Sequence, residues 1–460
     1  MTTTVEADYL VVGAGAMGMA FTDALIDHAD DVRVALVDRR HSVGGHWLEA
    51  YPFVRLHQAS ALYGVPSTLL GGGRVQHRGP EAGLQERATK SEICAYFERV
   101  LADRMLESGR VEFFPGCEYL GDHTFVSRVS GEQFSVPEHC RVVDAHYLAP
   151  RVPAEVPPPF EVDDDARVIP VNELAHLEEA PNRYVIAGSG KTATDAIVWL
   201  LGRGVDAGDI TWVRPRDPWM VNRAAQQPLP EVFLGMVADI MESADDSESL
   251  EQLFLRLEEA GVMLRIDRSV MPTMAKAPTL GTWELELLRT VDDVVRLGHI
   301  RRAARGRLDF AGDSVAITDD ALVVHCAGSG LMYRPLVPIW SPGAITLQPI
   351  RAGFPSFGGA IAGYVEATRD DDEVKNRLAP PSPYPDSMAA WARMIAVGGR
   401  NAAAFGAERD IAEWASTVAT NPARIPPGTP RSTQLDSVLE RLKAHTKTGT
   451  ARLEQLSTAG

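Results

Sequence analysis

Residues 9–38 read YLVVGAGAMGMAFTDALIDHADDVRVALVD, an apolar run, a glycine-rich turn, a helix-like stretch and a second apolar run that ends in Asp38. The run Tyr9–Val12 has the length of a buried strand, and MAFTDALIDHA has helical periodicity. Between them Gly13-Ala-Gly15-Ala-Met-Gly18 matches G-x-G-x-x-G. In that pattern the first glycine permits a tight turn, the second lets backbone approach a pyrophosphate, and the third lets helix pack on strand. The helix N-terminus then offers free N–H groups and a partial positive charge to phosphate. Asp38, twenty residues past Gly18, stands where a carboxylate accepts ribose hydroxyls. The candidate cofactor residues of this unit are Gly13, Gly15, Ala16, Met17, Gly18, Asp38 and the adjoining Arg39.

The same construction recurs at residues 183–216, RYVIAGSGKTATDAIVWLLGRGVDAGDITWVRPR. RYVIAG is a strand, Gly188-Ser-Gly190-Lys-Thr-Ala193 the turn, and TDAIVWLLGRG a helix closed by Gly202 and Gly204. At the end of the next strand, where the first unit has Asp38, this one has Arg214, with Arg216 two residues on. An arginine there can pair with the 2′-phosphate of NADP, which an acidic residue would repel. Lys191 and Thr192, at the helix start, are expected to face the NADPH pyrophosphate, so the candidates are Gly188, Gly190, Lys191, Thr192, Arg214 and Arg216. GSGKT is not a P-loop, because G-x-x-x-x-G-K-T needs a glycine at position 185, which is Val185 inside the strand.

The first nucleotide follows from residues 44–60, GGHWLEAYPFVRLHQAS. Asp38, five intervening residues, Gly44-Gly45-x-Trp47 and then Tyr51-Pro52 resemble the flavin-containing monooxygenase family (class B). The resemblance covers roughly residues 5–365, with its specific motifs at 10–63 and 183–216. It implies FAD on the first unit and NADPH on the second, with Gly45 and His46 wrapping the FAD diphosphate and ribityl chain and Trp47 near the flavin. Arg55-Leu-His57-Gln58-Ala-Ser60 resembles the stretch that passes beside the isoalloxazine ring. His57 would either donate to a flavin-bound oxygen species or satisfy a buried carbonyl, and His57 and Gln58 are the catalytic candidates. In ITLQPIRAGFPSFGGAIAGYVEA, a helix N-terminus near Ser356 and Phe357 would face the flavin's pyrimidine carbonyls, or Phe357 would serve packing alone. The family's Ala-Thr-Gly linker is replaced here by Ala145-His146-Tyr147, and its F-x-G-x-x-x-H-x-x-x-Y fingerprint is absent.

The expected fold is α/β with two Rossmann-type domains, a helical insertion and a helical C-terminal tail. The expected divisions are 1–155 (FAD, first part), 165–305 (NADPH, with a helical insertion at about 228–299), 306–370 (return to the FAD domain, through RLDF, SVAIT and ALVVHCAGSG, the last resembling the family's re-entry strand and turn) and 371–460 (helical). Within the first of these, 89–106 reads as a helix capped by Thr89 or Ser91.

A chain of 460 residues implies roughly two to four domains. With 45 Lys plus Arg against 62 Asp plus Glu, the charge of −17 disfavours nucleic acid and anionic membranes as partners. Cys94, Cys117, Cys140 and Cys326 have no metal or redox spacing and read as reduced thiols, and no metal site is expected. The first strand begins almost at once and no run of about 18 apolar residues occurs, so a cytoplasmic location is expected.

The resemblance implies an NADPH-dependent monooxygenase acting on a small organic substrate and O₂ through a C4a-peroxyflavin. A flavin oxidase or dehydrogenase without oxygen transfer, and a non-catalytic flavin-binding protein, remain alternatives. A disulfide reductase would need a cysteine pair beside the flavin, and GGHWLEAY has none. Substrate identity and a homodimer are left open.

Overall fold

The computed structural model describes residues 2–328 and 330–458; Ser329, in the AGSG turn, lies outside the described residues. Parallel sheets are covered on both faces, so their strands read as unbroken apolar runs. VALVD at Val34–Asp38 is such a run, buried at all its positions. It pairs in parallel with Tyr9–Val12 on one side and Val111–Pro115 on the other. Beyond Tyr9–Val12 the sheet continues in parallel through Arg141–Asp144 and Ala344–Thr346, and Trp340–Ser341 closes it antiparallel. Helix α1 (Ala16–His28) crosses one face and is buried from Gly18 to Ile26. Helix α2 (Lys90–Val100) begins at Thr89, whose hydroxyl accepts the Glu92 N–H while Glu92 returns to the Thr89 N–H, a reciprocal cap. Its last turn widens into a π-turn at Leu101–Leu106.

The second sheet is wholly parallel, in the order Val168–Pro170, Leu322–His325, Tyr184–Ala187, Ile210–Val213 and Val294–Val295. Helix α3 (Lys191–Gly202) follows its glycine turn. The expected insertion lies inside this unit, between Val213 and Val294. It is only partly helical: α4 (Pro230–Asp245), α5 (Leu250–Glu259) and α6 (Thr282–Leu288) accompany a three-stranded sheet of Pro218–Asn222, Met263–Arg265 and Met274–Leu280.

The expected return to the FAD unit at residue 306 is corrected. Leu322–His325, the strand of ALVVHCAGSG, lies between Val168–Pro170 and Tyr184–Ala187 in the second sheet. Residues 302–316 form a small sheet with Glu161–Val162. The chain rejoins the first sheet only at Trp340–Thr346.

Helix α7 (Pro355–Thr368) then lies directly on α1. A Cβ at Gly359 would sit 2.6 Å from the Met17 carbonyl oxygen and one at Gly363 2.4 Å from that of Phe21, so both glycines permit backbone contact. The remainder is helical as expected: α8 (Asp372–Leu378), α9 (Met388–Ala407), α10 (Arg409–Thr417) and α11 (Thr433–Thr458). Helix α11 packs on α4, where Arg441 pairs with Asp239 and Glu242 at 2.6 Å each, so the tail clasps the insertion. The four cysteines are free thiols. Among the described residues, no helix is long and apolar enough to cross a membrane.

Candidate functional site: two glycine turns and the contacts that join their units

The two glycine turns have the same backbone geometry. Gly13 and Gly188 adopt φ of 111° and 140°, conformations that L side chains rarely take, and each lies against the end of a parallel neighbour strand, at Ala145 and Cys326. Gly15 and Gly190 cap their helices at φ/ψ of −83°/−174° and −83°/−175°, with no side chain on the first amides. Both helix starts therefore keep N–H groups available to an anion. In the first turn Gly13, Gly15, Ala16 and Met17 stay partly open, while Gly18 is buried so tightly that a Cβ would meet the Gly13 carbonyl oxygen at 2.0 Å. Gly45 faces this turn, where a Cβ would lie 3.0 Å from the Gly15 Cα.

Asp38 is 5% exposed, and its two oxygens accept the Ala14 and Arg40 N–H groups at 2.8 Å each. A carboxylate oxygen has two acceptor sites, so capacity for ribose hydroxyls remains. Arg39 is half exposed and shares Glu155 with Arg40, at 2.8 and 2.6 Å.

The short helix Gly45–Glu49 carries His46 and Trp47. Burial, with help from Arg40, pushes the His46 pKa down to about 4, so the ring is neutral at pH 7. The Trp47 indole donates to the Tyr63 Oη at 2.6 Å, which fixes its plane. Ten residues on, burial and the charges of Lys191, Arg223 and Arg87 push His57 down to about 3. Its Nδ1 accepts the Thr279 N–H at 3.3 Å, so the ring proton resides on Nε2. The His57 ring thus meets a backbone donor rather than the carbonyl considered from sequence. Gln58 is 3% exposed; its Nε2 donates to the Leu62 carbonyl at 3.3 Å, and its Oε1 has no partner among the described residues.

Three candidates make contacts of their own: Phe357 takes the packing role that the sequence left open, and Lys191 and Arg214 are placed differently from expectation. Phe357 is fully buried and stacks on Trp414 with centroids 6.1 Å apart, with Phe405 at its edge. Its ring packs the C-terminal helices, and only backbone amides at the α7 start remain for a ligand, beside Ser356, whose Oγ accepts the Gly64 N–H at 3.4 Å. Lys191 turns its ammonium to Asp195 and, at 3.7 Å, to Glu284 rather than to the turn. Thr192 stays partly open in the first turn of α3, and Tyr51 donates to Asp195 at 2.7 Å and so ties the first unit to that helix.

Arg214 is the third. Its side chain is 2% exposed, lies over the Trp212 ring and pairs with Asp217 at 3.2 Å, so its charge is already balanced within the chain. Burial holds its pKa below the usual guanidinium value. Arg216 is exposed at the same strand end, near enough to Lys276 for its charge to help lower that ammonium's pKa, after burial as the larger cause. Lys276 donates to the Tyr333 Oη at 3.0 Å.

A buried ionic network escaped the sequence reading. Arg223, 1% exposed, donates to the His57 carbonyl through Nε at 2.8 Å, to Glu284 at 2.6 Å, and to Glu81. Arg87 pairs with Glu81 at 2.8 Å, and the Trp283 indole donates to Glu81 at 3.2 Å. Burial alone would raise the Glu284 carboxyl, but Lys191, Arg223 and Arg87 outweigh it and hold it down to about 2. These groups come from both Rossmann units and fix the backbone of His57 from behind.

Comparison with known proteins agrees with this geometry. A NAD(P)-binding Rossmann-like domain family matches residues 11–61. The uncharacterized proteins Rv2000 of Mycobacterium tuberculosis and Mb2023 of Mycobacterium bovis are each 42% identical over 421 residues, covering 91% of this chain and 78% of theirs. Among solved structures, the polycyclic ketone monooxygenase of the fungus Thermothelomyces thermophila aligns over 97% of this chain and 90% of its own, at 13% identity and a TM-score of 0.51. Paired dinucleotide units with this arrangement define a class B flavin-monooxygenase-like fold. Within that class, the chain belongs to the family of the mycobacterial proteins Rv2000 and Mb2023.

Proposed function

We propose that this protein is an NADPH-dependent flavoprotein monooxygenase that oxygenates a small organic molecule, with FAD on the first Rossmann unit and NADPH on the second. The observation that carries the reading is the matched pair of open glycine turns, on two units joined by the Tyr51–Asp195 and Arg223–His57 hydrogen bonds. Bound FAD would supply two-electron transfer from the nicotinamide and the activation of O₂.

The residues present fit that group. The amides of Gly15, Ala16 and Met17 suit a diphosphate, Asp38 has acceptor capacity left for ribose hydroxyls, and Gly45 leaves the space beside the turn that a side chain would fill. The unpartnered Gln58 Oε1 is a buried acceptor that suits an N–H of the flavin ring. His57, neutral with its proton on Nε2, offers a donor that carries no charge into the pocket. Trp47 and Tyr63, both buried, are held together by the indole–phenol hydrogen bond in the same segment.

For the second nucleotide, the α3 start binds the pyrophosphate, and Arg216 with Lys276 takes the 2′-phosphate in place of Arg214. The test is NADPH-driven turnover of FAD-loaded protein under labelled dioxygen. Label in an organic product supports the reading. Stoichiometric hydrogen peroxide with every substrate class tried would instead favour an oxidase.

A further inference from the structure

A cavity separate from both glycine turns lies between α4, α9 and the segment Arg351–Phe354. It encloses about 80 Å³ and opens to solvent, with about 660 Å³ of atom-free space when the mouth is counted. Its walls are almost wholly apolar, with Val237 and Ile240 from α4, Trp391 and Ile395 from α9, and Phe354 at the start of α7. Gln226 and Arg351 alone bring polar side chains to it, and Arg351 alone brings charge.

Arg351 is only partly exposed, and it differs from the chain's buried arginines. Arg87, Arg214 and Arg223 each stand against a carboxylate, at 2.8, 3.2 and 2.6 Å. Among the described residues Arg351 forms no ion pair, and its hydrogen bond goes from Nη1 to the Gly398 carbonyl at 3.2 Å. Burial lowers its pKa to about 10, so it is still a cation at neutral pH. A partly desolvated charge that faces apolar walls without a counterion favours an anionic partner from outside the chain.

The cavity is also placed for chemistry. Arg351 is four residues before the start of α7, which lies on the first glycine turn at Met17. On the opposite side, the lining residues Val221 and Ala277 are each two residues from a group that holds His57, namely Arg223 and Thr279.

We propose that this cavity is the substrate pocket and that the substrate is an apolar monocarboxylic acid whose carboxylate pairs with Arg351. The assignment of the pocket to a substrate rests on the monooxygenase reading. The ligand class rests on the cavity itself. A guanidinium presents two parallel N–H groups to the two oxygens of a carboxylate, and one cation among apolar walls suits one negative charge. A doubly charged phosphate would leave one charge unmatched, and a neutral ligand would leave Arg351 without its counterion.

The test is isothermal titration of the FAD-loaded protein with octanoate against octanamide and with phenylacetate against phenylacetamide. Each acid should bind at least about tenfold more tightly than its amide, as a charge-assisted contact implies. Arg351→Met should erase that difference, and Arg351→Lys should keep part of it. Ile395→Trp, which fills the cavity and leaves the guanidinium in place, should weaken acid and amide alike with FAD content unchanged. Equal binding of acid and amide, no acid binding at millimolar concentration, or a preference that survives Arg351→Met would overturn the proposal. Should Arg351→Met fail to fold, unchanged acid binding in Ile395→Trp overturns it equally. Titration needs no turnover, so a failure of NADPH-driven oxygenation and a failure of carboxylate binding are read separately.

Discussion

Arg223 reaches from the second Rossmann unit into the first, where its Nε donates to the His57 carbonyl oxygen at 2.8 Å. The same guanidinium faces Glu81 and Glu284, so it is the common partner of two buried carboxylates. Removing one member of a buried ionic network strands the others, at a cost of about 3–5 kcal/mol. Arg223→Met should therefore lose about that much stability in urea unfolding, with Arg223→Lys intermediate. A loss within about 0.5 kcal/mol of zero, the range of ordinary surface substitutions, would show that the network does not join the two units.

Acid should destabilise the protein earlier than its carboxylates alone require. His46 and His57 have folded pKa values of about 4 and about 3 against an ordinary 6.5. Between those limits the unfolded chain binds protons that the folded chain refuses, so stability is complete above about 6.5 and falls as pH drops toward 4 and then 3. Each histidine contributes a slope of up to about 1.4 kcal/mol per pH unit. Urea midpoints at about pH 7 and about pH 5 measure it. His57→Gln should flatten the decline by about one proton, and an unchanged slope would place the His57 ring in water.

Asp38→Ala should weaken FAD binding about ten- to a hundredfold, as loss of hydrogen bonds to a charged acceptor implies. Fluorescence titration of apoprotein with FAD measures this. An unaltered affinity would mean that the Ala14 and Arg40 amides take up the whole of the carboxylate.

The nucleotide preference should reside in Arg216 rather than Arg214. Arg216→Ala is expected to cut the advantage of NADPH over NADH about ten- to a hundredfold. Arg214→Ala should act on stability, since it leaves Asp217 buried beside the cavity it vacates. The comparison is flavin reduction and urea unfolding on both variants, and loss of preference confined to Arg214→Ala would reverse the assignment.

What sequence could reveal here follows the range of the interactions. Gly13, Gly18 and Gly188 were legible because a positive φ or a backbone approach is dictated within a few residues, and the Thr89 cap closes within three. Leu322–His325 was recognisable as a strand, but the neighbour of a parallel strand is chosen by distant chain, and the second sheet claimed it. The position of Arg214 was readable by analogy with Asp38, whereas its burial against Asp217 depends on how the insertion folds back. Arg223 meets Glu81 across 142 positions and Glu284 across 61, and no periodicity marks such a pair. Phe357 sits at a helix start that invites a ligand, yet Phe405 and Trp414, from the C-terminal helices, occupy its ring.

The most direct test of the two-nucleotide arrangement is anaerobic stopped-flow mixing of FAD-loaded protein with NADPH and, separately, NADH. Complete bleaching of the flavin band by NADPH is expected, saturating at a concentration at least about tenfold below that for NADH. Arg216→Ala should erase that gap while FAD content stays the same. A flavin band that neither nucleotide bleaches, in protein that retains FAD, would contradict the placement of NADPH on the second Rossmann unit.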